Sequence, residues 1–370
     1  MGAIAVVVGV LMVLTVTADM VNTLVTTTTS RSHWWLSSIL YRRTFSATRA
    51  VARVLPREAW REGLLATFAP VSVLLLLMAW VTQQVIGFGL IWWGAGGVDG
   101  AESLFDAVYY SGVVYFTLGF GEVVPATTVP RIGALIEALS GVLTTALVIG
   151  YLPSLYSAYS ERERMLMTLD DGTEHRITPT NLLLSRAPTG DTDDLIRFFE
   201  GWEEWVAGVM ETHTTFPMLR LFRSKHPGQN WVTALGVLCD AALQCQIIVG
   251  TKDRAPYWLL RRAIVLFDEL TSDADLSGYR ARLDAIYADP DGEALFHGLY
   301  ETLEAEGFEL VDPATARAET LALRRLYDAQ LEYLIDALLC PRGFWGHKVG
   351  HHMSSMTDDR AEPVPDDVEG

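Results

Sequence analysis

Apolar and polar positions divide this chain at about residue 160. On the N-terminal side, charge is nearly absent from three long stretches: Met1 to Ser30, broken only by Asp19; Gly63 to Val98, unbroken; and Ile132 to Tyr159, broken only by Glu137. A helix of roughly 20 apolar residues crosses a bilayer core, so each stretch predicts a membrane span. Between Trp34 and Trp60, Trp, Leu, Ile, Phe and Val are interleaved with arginine, the pattern of an amphipathic helix on the inner membrane surface. Glu102 to Phe116 is apolar too, but at about four helical turns it is too short to cross and suited to dipping in. Beyond residue 160, apolar residues recur at threes and fours over 195–210, 231–249, 257–270, 279–287, 293–306 and 313–339. These predict helices, with starts signalled by Pro179-Thr180, Asp191 and Asp312-Pro313. Met165 to Ile177, with its Asp171-Gly172 turn, suggests a small hairpin or linker, and the acidic tail a disordered end. The expected fold class is all-α.

Arginine orients the spans, because basic loops stay on the cytoplasmic side. Arg31, Arg42, Arg43, Arg49, Arg53, Arg57 and Arg61 separate the first two spans. Asp99, Glu102, Asp106 and Glu122 separate the second and third, with Arg131 only at the far end. The expectation is a multi-pass protein of the cell membrane, its N-terminus and residues 94–130 outside, and residues 31–61 and everything after 160 in the cytoplasm. Its parts are an N-terminal membrane helix (1–30), a basic amphipathic segment (31–61), a membrane domain (62–160), a helical acidic cytosolic domain (161–357) and a tail (358–370). Val16-Thr17-Ala18 resembles a leader-cleavage site, so a cleaved signal stays open beside a retained helix, although no basic n-region precedes it. Asp19 is expected to pair with one of the arginines or to reach the interface.

Composition sharpens the division. The 370 residues are 50% hydrophobic and 20% charged, with a net charge of -17. The first 160 residues hold eight acids and eight arginines, leaving 37 of the 45 acids and 20 of the 28 basic residues to the rest. An acidic domain repels phosphate, which argues against nucleic acid as a partner. Cys239, Cys245 and Cys340 are odd in number and lack CxxC spacing, so they predict reduced thiols rather than a disulfide framework or a zinc site. No GxxxxGK[ST] is present, and no GxGxxG opens a βαβ unit.

The chemistry lies after the short apolar segment, in Thr117-Leu118-Gly119-Phe120-Gly121-Glu122-Val123-Val124-Pro125. Irregular backbone at membrane depth is tolerated only where it is buried in protein or lines a water-filled path. A dehydrated cation needs a ring of oxygens, and backbone carbonyls supply one if successive peptides turn toward a common axis. That demands unusual dihedrals at alternate residues, which glycine tolerates, hence Gly119 and Gly121. Thr117 adds a hydroxyl at the inner end, Leu118 and Phe120 are expected to wedge against Tyr109 and Tyr110, and Glu122 to concentrate cations at the outer mouth. The C-terminal carbonyls of the short helix favour a cation below the loop. One chain gives one loop, so a closed ring needs several copies. Gly87-Phe88-Gly89 is a decoy: Val85 and Leu90 replace the threonine and the acid, and its glycines suit close helix packing.

The segment TLGFGE-x-x-P resembles the potassium-channel signature TVGYGD-x-x-P, and with its flanking spans residues 62–158 are similar to the two-transmembrane pore-loop channel family. The resemblance implies an outer helix, pore helix, filter loop and inner helix around a homotetrameric pore. It also implies K+ ions bound by Thr117, Leu118, Gly119 and Phe120. Phe120 departs from the usual Tyr and loses a bracing hydroxyl, and Val113 stands where some members place a glutamate. Gly141 falls where related inner helices carry a hinge glycine, and Pro153 bends helices, so both are candidate gate residues, with packing and a static kink as the alternatives.

Elsewhere the residues are less informative. Arg220, Arg223, Lys225 and His226 form a basic patch that either binds an anion or pairs with neighbouring acids. His347, His351 and His352 offer a metal site only weakly, and Asp193-Asp194 and Asp289-Pro290-Asp291 lack EF-hand spacing. No nucleophile, base and orienter set appears, so no enzyme is expected. The expectation is a K+ channel contacting membrane lipid, without a cofactor beyond its permeant ions, and with room for an unknown cytosolic ligand. The rivals are a weakly selective cation pore and a receptor or scaffold with a vestigial pore.

Overall fold

The computed structural model describes residues 2–25, 36–169, 178–187, 193–224, 230–288 and 291–340. They are mostly helical and fall into two compact units, Met1–Ala158 with Thr214–Phe222, and Tyr159–His213 with Arg223–Gly370.

The first unit is built on α1 (Gly2–Leu24), α2 (Leu36–Val54), α3 (Glu58–Ala95), α4 (Leu104–Tyr115) and the start of α5 (Thr128–Leu169). α1, α3 and α5 are long and apolar enough to cross a membrane. α1 lies antiparallel to α3, with Gly2 against Gly94 and Gly9 against Gly87. A Cβ on Gly9 would fall 2.5 Å from the Gly87 carbonyl oxygen, so these backbones touch as only glycine allows. The triplet set aside as a decoy is thus a packing device, since Gly89 meets Val108 of α4 in the same way.

Asp19 joins three helices. Its Oδ2 accepts from the Ser37 backbone N–H (3.0 Å) and the Trp80 indole N–H (2.8 Å), and its Oδ1 from the Ser37 hydroxyl (2.7 Å). Ser37 lies in the first turn of α2, where a helix favours negative charge. Among the described residues these partners, rather than an arginine, hold Asp19; Arg31 lies outside them. α2 does not keep its apolar side for lipid: Leu36, Leu40 and Tyr41 pack on Val16, Met20, Leu76 and Trp80, and Phe45 meets Phe68 at 5.2 Å. Arg42, Arg43, Arg53 and Arg57 stay exposed. α5 continues unbroken past Gly141 and Pro153, with Phe216 against Tyr151 (5.4 Å) and Phe222 against Tyr156 (6.1 Å).

The second unit contains α6 (Pro179–Arg186), α7 (Asp193–Thr215), α8 (Trp231–Leu243), α9 (Ala255–Thr271), α10 (Ser277–Tyr287), α11 (Asp291–Ala305), α12 (Pro313–Arg324) and α13 (Asp328–Leu338). Caps start three of them: Thr178 before Pro179, Asn230 before α8, and Asp312 before Pro313. The backbone N–H and hydroxyl of Thr315 hold the Asp312 carboxyl below its ordinary range. Every residue of α8 is buried. With the π-turn that extends it, Trp231–Ile248 is a fourth stretch apolar enough to span a bilayer, but 89% of it is buried against 17 to 33% for the other three. A helix apolar all round belongs either in a membrane or in a core, and this one has its core.

α8 also carries Asp240, fully buried opposite Arg324 (2.8 Å). Arg324 lies 3.3 Å from Asp328, and the Tyr327 and Tyr287 hydroxyls donate to Asp240 and Asp328. Burial of the guanidinium is outweighed by the two carboxylates, which raise its pKa well above the ordinary value. This network explains why 313–339 is two helices rather than the one its periodicity suggests. The turn at 325–327 lets Arg324 and Tyr327 both reach Asp240.

Other sequence expectations shift as well. Residues 165–169 are helical rather than part of a hairpin, whereas α6 starts at Pro179 as expected, with Thr178 as its cap. Asp171-Gly172, Asp191, Lys225, His226, Asp289, Pro290, His347, His351, His352 and the tail at 358–370 lie outside the described residues. Arg223, one of the basic patch, donates to the carbonyls of Leu338 and Leu339 (2.6 Å each), a structural contact.

Replacing Arg324 with Met leaves Asp240 and Asp328 buried without their cation. Denaturant unfolding of the detergent-solubilised protein, followed by circular dichroism, should show a loss of about 3–5 kcal/mol.

Candidate functional site

α4 is short and firmly started. Its N-cap Ser103 accepts from the Asp106 N–H (3.2 Å), while the Asp106 carboxylate accepts from the Ser103 N–H (2.8 Å), a reciprocal capping box. The helix then unwinds. Thr117 N–H reaches back to Val114 O (3.0 Å) and Leu118 N–H to Val113 O (2.8 Å), which closes the C-terminus and launches an extended loop.

In that loop φ is positive at Thr117 (56°), Gly119 (65°) and Gly121 (89°), every second residue. Glycine makes this free of strain at two of the positions; Thr117 tolerates it at a cost of roughly 1–2 kcal/mol. Phe116 to Glu122 are all exposed in the single chain. Leu118 and Phe120 are exposed in the single chain rather than buried against the short helix. Tyr110 is turned instead to Trp92 of α3, edge to face at 6.1 Å, and the Tyr109 hydroxyl donates to the Glu122 carboxylate. That bond fastens the outer end of the loop to α4, a brace supplied from a different residue than the one Phe120 lacks. A two-residue ladder, β1 (Val98–Asp99) antiparallel to β2 (Val124–Pro125), ties the end of α3 to the chain beyond the loop.

Behind α4 stands α5. Glu137 is fully buried, its Oε2 accepting from the Trp92 indole N–H (2.8 Å) and its Oε1 hydrogen-bonded to the Ser111 hydroxyl. One turn on, a Cβ at Gly141 would land on the Tyr115 carbonyl oxygen, the end of α4. A further turn on, the Tyr115 hydroxyl donates to Thr144 Oγ1 (3.0 Å). The backbone of α5 and the C-terminus of α4 thus meet at Gly141, which gives this glycine a packing role in this structure. Pro153 is exposed and within continuous helix. Val113 is buried, and the buried acid packed against α4 is Glu137 of α5.

Sequence reasoning named the loop residues, Glu122, Gly141 and Pro153, but missed Glu137, Trp92, Ser111 and the Tyr109 brace. Glu137 was visible as the one charge in its span, and an intramembrane acid is a functional candidate by default. Its partners were not, because 26 and 45 residues separate them from it.

Residues 71–157 match a family model described as "Ion channel", and the chain therefore contains an ion channel domain in this region. Over 141 residues the chain is 27% identical to an uncharacterized membrane protein, YdjJ, of Bacillus subtilis (strain 168). That alignment covers 37% of this chain and 39% of the relative, so the chain spans about two fifths of the curated relative it matches. No solved structure matches.

Because Gly141 is a contact point, Gly141→Ala should overpack it and lower unfolding stability by about 1–3 kcal/mol. Gly63→Ala, where nothing lies within 4 Å, instead raises stability by up to about 1 kcal/mol. Thermal unfolding of both variants in detergent checks the difference.

Proposed function

We propose that this protein is a potassium-selective channel of the cell membrane, its pore formed by residues 62–158 of four copies. The observation that carries the reading is the alternation of positive φ at Thr117, Gly119 and Gly121 directly after a short capped helix. Such alternation turns successive carbonyls the same way, which a file of dehydrated cations requires. K+ would be held by the carbonyls of Thr117, Leu118, Gly119 and Phe120, with Glu122 concentrating cations at the outer mouth.

Three further observations support it. The ion channel match includes the loop and both flanking helices. The loop is exposed in one chain, as are Leu135, Ile136, Leu139, Val142 and Leu143 of α5, an apolar face that a ring of copies and lipid would cover. The arginines of 31–61 and the acids of 99–122 orient α3 outward, and antiparallel α1 then begins outside, with the acidic helical unit in the cytoplasm. That unit is proposed to govern assembly or gating, with Gly141 and Pro153 as the places where the continuous helix α5 would bend when the pore opens.

The test is ion flux from liposomes holding the purified protein. K+ efflux is expected, with a reversal potential in mixed Na+ and K+ near the K+ value; a potential indifferent to the cation would point to the weakly selective pore. Gly119→Ala puts a Cβ where φ is 65° and should cost about 1–2 kcal/mol in each copy, reducing flux at least about tenfold. Folded tetramers that pass no ion would overturn the proposal.

A further inference from the structure

The donors and acceptors around Glu137 do not balance if it is ionised. Ser111 Oγ lies 2.8 Å from the Val85 carbonyl oxygen of α3 and is also hydrogen-bonded to Glu137 Oε1. A serine hydroxyl has one hydrogen, whereas a backbone carbonyl and a carboxylate oxygen are both acceptors only. Ser111 can therefore satisfy one of these neighbours and must face the other without a hydrogen between them. A proton on Glu137 Oε1 removes the conflict. Glu137 then donates to Ser111, Ser111 donates to Val85 O, and Trp92 Nε1 donates to Glu137 Oε2 at 2.8 Å. Ser111 Oγ, Val85 O and both oxygens of Glu137 then each have a partner, and α3, α4 and α5 are joined by one unbroken line of hydrogen bonds.

The surroundings agree. The titratable groups that face Glu137 among the described residues are the phenols of Tyr110 and Tyr115, both on α4; α3 presents Trp92 and the Val85 carbonyl. Among the described residues no cation is a partner of Glu137. A buried carboxylate without a cation is far more expensive than a buried carboxylic acid in a closed hydrogen-bond chain.

We propose that Glu137 is a proton-bearing latch that positions the pore helix α4 against the inner helix α5, and that ion conduction depends on its staying protonated. The inference rests on the channel reading of the loop. Ser111 lies six residues before Thr117 on the helix that ends in the loop, and Glu137 shares one face of α5 with Gly141 and Thr144, which touch Tyr115 at the end of that helix. Loss of the proton puts a bare charge at the top of this contact and breaks the line at Ser111, which frees α4 to shift and distorts the loop it carries. Glu137 is a positioning residue, since it reaches the ions only through Ser111 and α4.

The discriminating variant is Glu137→Gln. Its amide NH2 donates to Ser111 as the acid does and its oxygen accepts from Trp92, but it has no proton to lose. In liposomes, wild-type K+ flux should fall on the order of tenfold as pH is raised through the range in which residue 137 deprotonates, whereas Glu137→Gln should keep near wild-type flux with a flat profile. Infrared difference spectra of wild type against Glu137→Gln provide a readout independent of conduction. At neutral pH they should show the carbonyl band of a protonated carboxylic acid from residue 137, disappearing over the same pH range as the flux. A carboxylate band at neutral pH, or the same pH profile in both proteins, overturns the proposal. Absence of flux in the wild type would overturn the channel reading alone, and the infrared band would still decide the protonation of the latch.

Discussion

A peptide group in hydrocarbon without a hydrogen-bond partner is destabilising by several kcal/mol, and the loop from Thr117 to Gly121, beyond the end of α4, is the place where this chain meets that constraint. Its backbone takes alternate left-handed dihedrals and leaves its side chains exposed. A segment of this kind cannot hold its own shape, so the neighbouring structure must. The capping box at Ser103 fixes where α4 begins, Gly141 fixes how closely its end meets α5, the Tyr109–Glu122 bond fixes the outer end of the loop, and the β1–β2 ladder closes the return to α5. Each contact is weak alone. Together they leave the loop few alternatives.

The same unit solves a second problem with one helix. α1 and α5 each carry a buried acid, Asp19 and Glu137, and α3 supplies an indole N–H to both, from Trp80 and Trp92. Between and beyond those indoles its glycines let other helices come close, Gly87 and Gly94 to α1 and Gly89 to α4. Helix association in an apolar environment gains nothing from hydrophobic burial, and relies on close packing and interhelical hydrogen bonds. α3 uses both along its length. The two acids differ in what meets them. Asp19 has a helix N-terminus with a backbone N–H, a hydroxyl and an indole, three donors in all. Glu137 has one indole and one hydroxyl already engaged elsewhere.

Much of this was legible in the sequence because the signals are local. Apolar stretches of sufficient length marked α1, α3 and α5, periodicity marked most of the second unit, and Gly119 and Gly121 marked a backbone that L residues resist. Long-range polar pairing was not legible. Nothing near Ser37 in the sequence points to Asp19, and nothing near Glu137 points to Trp92. Periodicity likewise could not show that 313–339 breaks at 325–327, since residues on both sides keep an apolar face and the break serves Asp240, more than 80 residues away. The amphipathic pattern of α2 was read correctly as a helix but assigned to lipid, because periodicity shows that a face is apolar without showing what covers it.

α8 shows the same limit in reverse. By length and composition it is a membrane span like the other three, and only its neighbours tell it apart. α7 and α9 place their apolar sides inward around it and leave acids and arginines outward, while α12 turns Ala316, Thr320 and Arg324 inward, so it is sheathed in helices rather than facing lipid. Its one charged residue confirms the difference. Asp240 is not at an edge or beside a polar path but at the centre of the packing, with a guanidinium, a phenol and a second carboxylate converging on it from α12, α13 and the turn between them. Such a cluster is destabilising unless every member is matched, and it therefore selects one arrangement of α12 and α13 against α8 over the many that apolar contact alone would allow.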